Sequence, residues 1–284
     1  MIQVMMMRYS PWAGLSLVVI SLFGFLCVQG GLAVSGQSMN PGDAAAAAAS
    51  SADAHPIVVE LFTSEGCSTC PPADALLQQM DTVQPIPGAH LIVLSEHVDY
   101  WDHEGWKDPN SSLALTDRQR AYVAALGLKT AYTPQLIVDG TSEIRIGDPQ
   151  QMQKILQEAA AMPVVPVRIG AVSVDAGNPT VLRTHIEADG TLDKHNADVY
   201  VAIALDHVES EVLHGENGGR HLTHVAVVQQ LTKIGRLQKG KNFAEDVQLK
   251  LKANTDPRNF RLIAFVQESG PGRVVGAALR KPAI

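Results

Sequence analysis

Residues 57–74 read IVVELFTSEGCSTCPPAD. Ile57, Val58 and Val59, followed by Leu61 and Phe62 after a single acid, make an apolar, β-branched run of strand length. The run breaks into small and polar residues, and two cysteines follow, Cys67 and Cys70, with two residues between them. Pro71 and Pro72 fit the first turn of a helix, where the N–H that proline lacks has no intrahelical partner to lose. The stretch predicts strand, turn, C-x-x-C and helix start, in that order. A thiolate is the reactive form of cysteine, and the partial positive charge at a helix N-terminus stabilises it. Cys67 is therefore expected at the exposed helix start as attacking sulfur, with Cys70 in the first turn as resolving thiol. An idle or structural bridge is the plainer alternative, although a disulfide closing so short a loop constrains the unfolded chain little. A third reading is a metal site: two thiolates suit a soft ion such as Cu(I), and no basic residue between Ile57 and Asp74 competes for them.

At 284 residues and 46% apolar content the chain is long enough to build two cores. The N-terminus stands apart. Arg8 is the only charge before Asp43, and residues 12–28 are almost wholly apolar and are followed by small residues. Residues 1–35 thus read as a secretory signal peptide, which implies a periplasmic or secreted protein with no stable membrane span after cleavage. Cys27 lies inside that segment behind Phe25 and Leu26, a poor setting for lipidation. Its removal leaves Cys67 and Cys70 as the remaining cysteines, in an oxidising compartment. The net charge of −7 becomes one unit more negative without Arg8, which argues against a nucleic-acid partner. Residues 36–55, with the alanine run 44–49, read as a disordered tether.

Residues 56–162 carry an alternation of elements. Leu76, Leu77 and Met80 extend the first helix at helical spacing, and His90 to Ser95 form an apolar run typical of a strand covered on both faces. Thr116 with Gln119 has capping-box spacing for a second helix, Gln135 to Val138 and Glu143 to Ile146 flank an Asp139-Gly140 turn, and Asp148-Pro149 opens a third helix. From residue 163 to 284, short apolar or alternating runs separated by glycine-rich turns predict a mainly antiparallel, β-sandwich-like second domain.

The loop from His97 to Leu115 concentrates His97, Asp99, Tyr100, Trp101 and Trp106. It reads either as a substrate-contacting rim beside the cysteines or as a cap on the sheet edge. A metal set from His97, Asp99 and His103 fits no regular element, so no metal and no cofactor are assigned. Glu60 is a candidate proton acceptor for the resolving thiol, or else a carboxylate with neighbours of its own. His214, His221 and His224 cluster with Glu216 and Arg220 around Gly218-Gly219. Asn217 and Arg220 can fix backbone carbonyls there, so a structural corner is the stronger reading and a ligand site the alternative.

The order of elements, with C-x-x-C at the first helix and Thr133-Pro134 before the hairpin, resembles the thioredoxin fold, here β-α-β-α-β-β-α. More closely, VVELFTSEGCSTCPPAD, HVDYWDHEGWKDP, RQRAY, AYTPQLIVDG and HGENGGRHLTHVAVV are together similar to the exported bacterial family catalogued as domain of unknown function 1223. The resemblance spans Ile57 to Arg280. It implies an α/β thioredoxin-like domain followed by the β-rich one, an exported location and a thiol–disulfide site. It also implies a cis Pro134 beside the cysteines, with Thr133 presenting backbone to substrate, and a buried acid in the place of Glu60. The expected activity is thiol–disulfide exchange on cysteine-containing exported proteins or small thiols, with electron direction unassigned because Ser68-Thr69 differs from thioredoxin's Gly-Pro pair. The expectation from another class is a non-catalytic Cu(I)- or protein-binding module.

Overall fold

Ile57, Val59 and Leu61 point to one side of a strand, Val58, Glu60 and Phe62 to the other, and both sets are buried. That strand, β1 (His55–Thr63), is accordingly internal to a sheet. It pairs in parallel with β2 (Ala89–His97) and antiparallel with β3 (Gln135–Val138). β3 returns as β4 (Ser142–Ile144) through Asp139-Gly140, whose φ values of 44° and 70° are those of a left-handed two-residue turn. The computed structural model describes residues 54–175, 177–191, 196–252, 255–256 and 258–281. The expected signal peptide, residues 1–35, and all but the last two residues of the expected tether lie outside the described residues.

Three helices cover this part of the sheet. α1 (Pro71–Val83) lays Ala73, Leu77 and Met80 against Ile57, Val59 and Leu61, and α3 (Pro149–Ala160) adds Leu156 to the same cluster. α2 (Leu113–Ala125) takes the opposite face, where Leu115 meets Val58, Ile92 and Leu94, and Tyr122 meets Phe62. The Asp148 carboxylate accepts the Gln151 N–H at 3.0 Å, as its capping position predicts. Helix α2 starts earlier than its sequence spacing suggests. Ser112 is its N-cap, accepting from Ala114, while the Thr116 hydroxyl bonds Asp99 and the Gln119 amide bonds Gln135. Thr116 and Gln119 are inward-facing tertiary partners, and tertiary bonds have displaced the local capping box.

Downstream come β5 (Val167–Ile169), β6 (Ser173–Asp175), β7 (Asn178–Ala188), β8 (Ala197–Glu211), β9 (His221–Leu237), β10 (Phe243–Lys250), β11 (Phe260–Glu268) and β12 (Val274–Arg280). Strand β9 decides the architecture. It pairs antiparallel with β8 along most of its length and also meets β2 in parallel, with Val227 opposite Ser95. One mixed sheet of eight strands results, in the order β12-β11-β8-β9-β2-β1-β3-β4. The expected architecture, a thioredoxin-like α/β domain followed by a separate β-sandwich-like domain, is therefore overturned. The sheet draws strands from both sides of Pro163, and the described residues pack as one compact unit.

The physical reason lies in residues 225–228, Val-Ala-Val-Val, all of them buried. A run apolar on both faces needs neighbours on both edges and both faces, which a half-solvated sandwich strand does not provide. A smaller sheet, β10-β7-β5 with β6 on β7, packs Leu182, Ile186 and Leu249 against Val199, Val201, Ile203, Leu262 and Val266 of the large sheet.

Candidate functional site

Cys67 and Cys70 form a disulfide with Cα atoms 5.4 Å apart. Helix α1 begins at Pro71, so Cys70 is its N-cap, and Cys67 lies in the turn before it, where its carbonyl accepts the Cys70 N–H at 3.2 Å. Sequence spacing places Cys67 exposed on the helix start. The structure sets it one turn earlier, and both cysteines are 0% exposed.

Two loops cover the pair. In the first, Trp101 packs on Gly66, where an added Cβ would stand 3.2 Å from the Trp101 Cβ and 3.3 Å from its carbonyl oxygen. The Trp101 indole N–H donates to Thr133 Oγ1 at 2.7 Å, and the Thr133-Pro134 bond is cis, so Trp101 ties the cysteine turn to that peptide. The Trp106 indole N–H donates to Glu65 at 2.8 Å. The second cover is the β8–β9 connection. Asn217 donates from Nδ2 to the carbonyls of Glu65 at 2.8 Å and Cys67 at 2.9 Å, and Glu216 accepts the Ser68 N–H at 3.0 Å. Gly215, at φ 76°, brings the two covers together, since a Cβ there would meet Glu104 and Trp106 at 3.1–3.2 Å.

Beneath the disulfide turn lies a cluster of buried ionisable groups. Glu65 accepts from Trp106 and from the Ser210 hydroxyl at 2.6 Å, and its own N–H donates to Asp108 at 2.9 Å. Asp108 also lies 2.7 Å from His97 Nδ1. Burial alone would raise the Asp108 pKa, but the His97 charge and the hydrogen bonds from His97, Glu65 and Asn110 hold it at about 2. Burial pulls His97 down, yet Asp108 outweighs it and leaves the imidazole above its ordinary value. The two form a buried ion pair. Asp74, one turn after Cys70, accepts from the Thr63 hydroxyl at 2.9 Å and lies 3.6 Å from His224 Nδ1. The His224 and His97 rings meet edge to face at 4.8 Å.

Glu60 lies elsewhere. It projects to the α2 face of β1, opposite α1, and its carboxylate is taken by Arg118 Nε at 2.6 Å and the Tyr122 hydroxyl at 2.6 Å. Glu96 stands 3.4 Å from the same guanidinium, and burial, then the Glu60 charge, push its pKa well above the carboxylate range. Asp139 nearby is raised to about 7, mainly by burial. This second cluster stabilises the sheet and does not touch the cysteines.

Of the other loop residues singled out in the sequence, Tyr100 donates to Gln119 at 3.2 Å, and Asp99 accepts from Thr116 at 2.6 Å, so both hold the loop to α2. His97 is the last residue of β2 and is fully buried. The histidine group disperses: His214 lies in the exposed β8–β9 connection, His221 pairs with Glu211 at 2.7 Å on the surface, and His224 turns inward. Asn217 does fix backbone carbonyls, and they are those of the cysteine turn. Sequence reasoning missed Glu65, Asp74 and Asp108 as partners of the site. Asp74 was legible as the residue four after Cys70, a spacing that shares a helix face. Among the described residues no group of three His, Cys, Asp or Glu is arranged to hold a metal ion, and no helix is long and apolar enough to cross a membrane.

A protein whose mixed sheet carries a covered C-x-x-C disulfide at a helix N-cap defines the class. Residues 58–267 match the family described as "Protein of unknown function (DUF1223)", and the chain belongs to that family. It is similar to a structural-genomics crystal structure of an Agrobacterium tumefaciens protein, at 27% identity and TM-score 0.62, covering 81% of this chain and 96% of that one. A domain of the outer membrane lipoprotein Omp28 from Porphyromonas gingivalis aligns at 10% identity and TM-score 0.28 over 43% of this chain and 89% of that one, too weakly to carry an argument. No curated protein matches the chain.

Proposed function

We propose that this is an exported thiol–disulfide exchange protein in which Cys67 and Cys70 cycle between disulfide and dithiol, with cysteine-containing exported proteins or small thiols as partners. One observation carries the reading: the disulfide is fully buried, and its turn is tied to two loops by side-chain hydrogen bonds, Asn217 to Cys67, Glu216 to Ser68 and Trp106 to Glu65, with Trp101 bonded to Thr133. Such bonds contribute about 1 kcal/mol each, more where a charge takes part, so local opening costs far less than unfolding. A short-loop bridge adds little stability, which leaves its chemistry as the better reason for a built enclosure. On opening, an incoming thiolate meets Cys67, while Cys70 at the α1 N-cap leaves as a thiolate at the positive end of the helix dipole. The test is equilibration of the protein with glutathione mixtures, followed by mass shift after alkylation. The expected outcome is reversible interconversion, lost with Cys67→Ser; a bridge that stays oxidised in excess dithiol under native conditions sinks the proposal.

A further inference from the structure

His224 is 1% exposed, and neither of its ring nitrogens has a hydrogen-bond partner among the described residues. His97 Nε2 is likewise unpartnered and fully buried. Burying a polar nitrogen without a partner costs roughly 1–3 kcal/mol, so two neighbouring imidazoles left this way require a reason. The surroundings supply one. His224 Nδ1 lies 3.6 Å from Asp74 Oδ1, and Asp74 sits on α1 one turn beyond Cys70, with its N–H bonded to the Cys70 carbonyl at 3.1 Å. Cys70 has helical φ and ψ of −77° and −37°, so its side chain and that of Asp74 share a face, about 5–6 Å apart at Cβ. Both residues are buried.

We infer that Asp74 and His224 are the proton store for Cys70. This rests on the proposed exchange. When an external thiolate bonds to the Cys67 sulfur, the Cys67–Cys70 bond breaks and its electron pair passes to Cys70. The Asp74–His224 pair gives that thiolate a proton. In the reverse direction the Cys70 thiol returns its proton to the pair, its thiolate re-forms the bond to Cys67, and the external thiolate departs. The charged groups facing His224 are Asp74 from α1 and, through the His97 ring, Asp108 and Glu65 from the covering loop and the cysteine turn. Three carboxylates, Asp74, Asp108 and Glu65, thus surround the two imidazoles, and imidazole is the side chain suited to passing a proton on. Glu60 cannot serve, because it faces the opposite side of the sheet and is bound by Arg118.

The experiment is a pH titration of the reduced full-length protein carrying 13Cβ-labelled cysteine, with the Cys70 signal assigned by its loss in Cys70→Ser. The expected signal moves in two steps, one for its own ionisation and one for the Asp74–His224 pair. Asp74→Asn and His224→Gln should each remove the second step and displace the first by about one pH unit, a tenfold change in proton affinity. A single step in the wild-type protein overturns the inference, as does a midpoint unchanged in both variants. The wild-type curve alone decides should a variant not fold. Coupled titration in a protein inert toward glutathione would sink the exchange reading and leave the proton store standing. Exchange with Cys70 titrating alone would do the opposite.

Discussion

Two buried charge clusters lie on opposite faces of the same strand, and they differ in the cation. On the α2 face, Glu60 and Glu96 surround Arg118, which also donates to Tyr122 at 2.7 Å and to Gln267 at 3.2 Å. A guanidinium does not release its proton in proteins, so the cation of that cluster is permanent and acts as a fixed strut. On the α1 side the cation is the imidazole of His97, where burial is outweighed by Asp108 and the ring is held above its ordinary value; unlike a guanidinium, it can release its proton. The same strand thus separates an arrangement that holds structure from one that can carry protons.

The largest effect should come from removing the fixed cation. Arg118→Ala leaves the Glu60 carboxylate buried without a counter-charge and is expected to lower unfolding free energy by roughly 3–5 kcal/mol, read by chemical denaturation. A soluble variant with an unchanged midpoint would break the comparison, because Arg118 would then not be the strut.

A smaller loss, about 2 kcal/mol, is expected for Asp108→Asn on the titratable side, from the distance between the carboxylate's ordinary 3.8 and its folded value of about 2. The folded pKa of Asp108 is depressed, so its contribution is present above pH 3.8 and disappears as pH falls toward 2. The folded pKa of His97 is raised, so its share is complete below 6.5 and fades as pH climbs past that value. Stability measured against pH should therefore show the difference between wild type and variant at its widest from about pH 4 to 6.5. A gap of constant size across pH 2 to 8 would contradict the ion pair.

The smallest effect belongs to Glu96→Gln. With its carboxyl pKa pushed up by burial and by Glu60, Glu96 keeps its proton in the folded protein after the unfolded chain has lost it, so wild-type stability declines as pH rises above 4.5. The amide should cost under about 1 kcal/mol near neutral pH and flatten that decline, as followed by thermal melts across pH. An equally steep decline in the variant would place the alkaline sensitivity elsewhere.

Much of the local structure was legible because local physics decides it. The strand over residues 57–62, the prolines that open α1, the Asp148 cap of α3 and the Asp139-Gly140 turn all follow from neighbours in sequence. The assembly was not legible. Nothing in HVAVV states that β9 joins β2, and short runs with turns between them are equally consistent with a separate sandwich. The choice was made by the requirement to bury both faces and pair both edges of Val225 to Val228.

For the site, the sequence by itself determined the C-x-x-C, its position before a helix, and Asp74 one turn further on. Only the tertiary structure decided that the disulfide is enclosed, that Asn217 and Glu216 close it from residues some 150 positions away, and that His224 and Asp74 rather than Glu60 lie on its side of the sheet. The reason is physical. Which face a strand residue takes is fixed by alternation, but what covers that face depends on contacts between segments far apart in sequence, and those are settled by global burial and pairing.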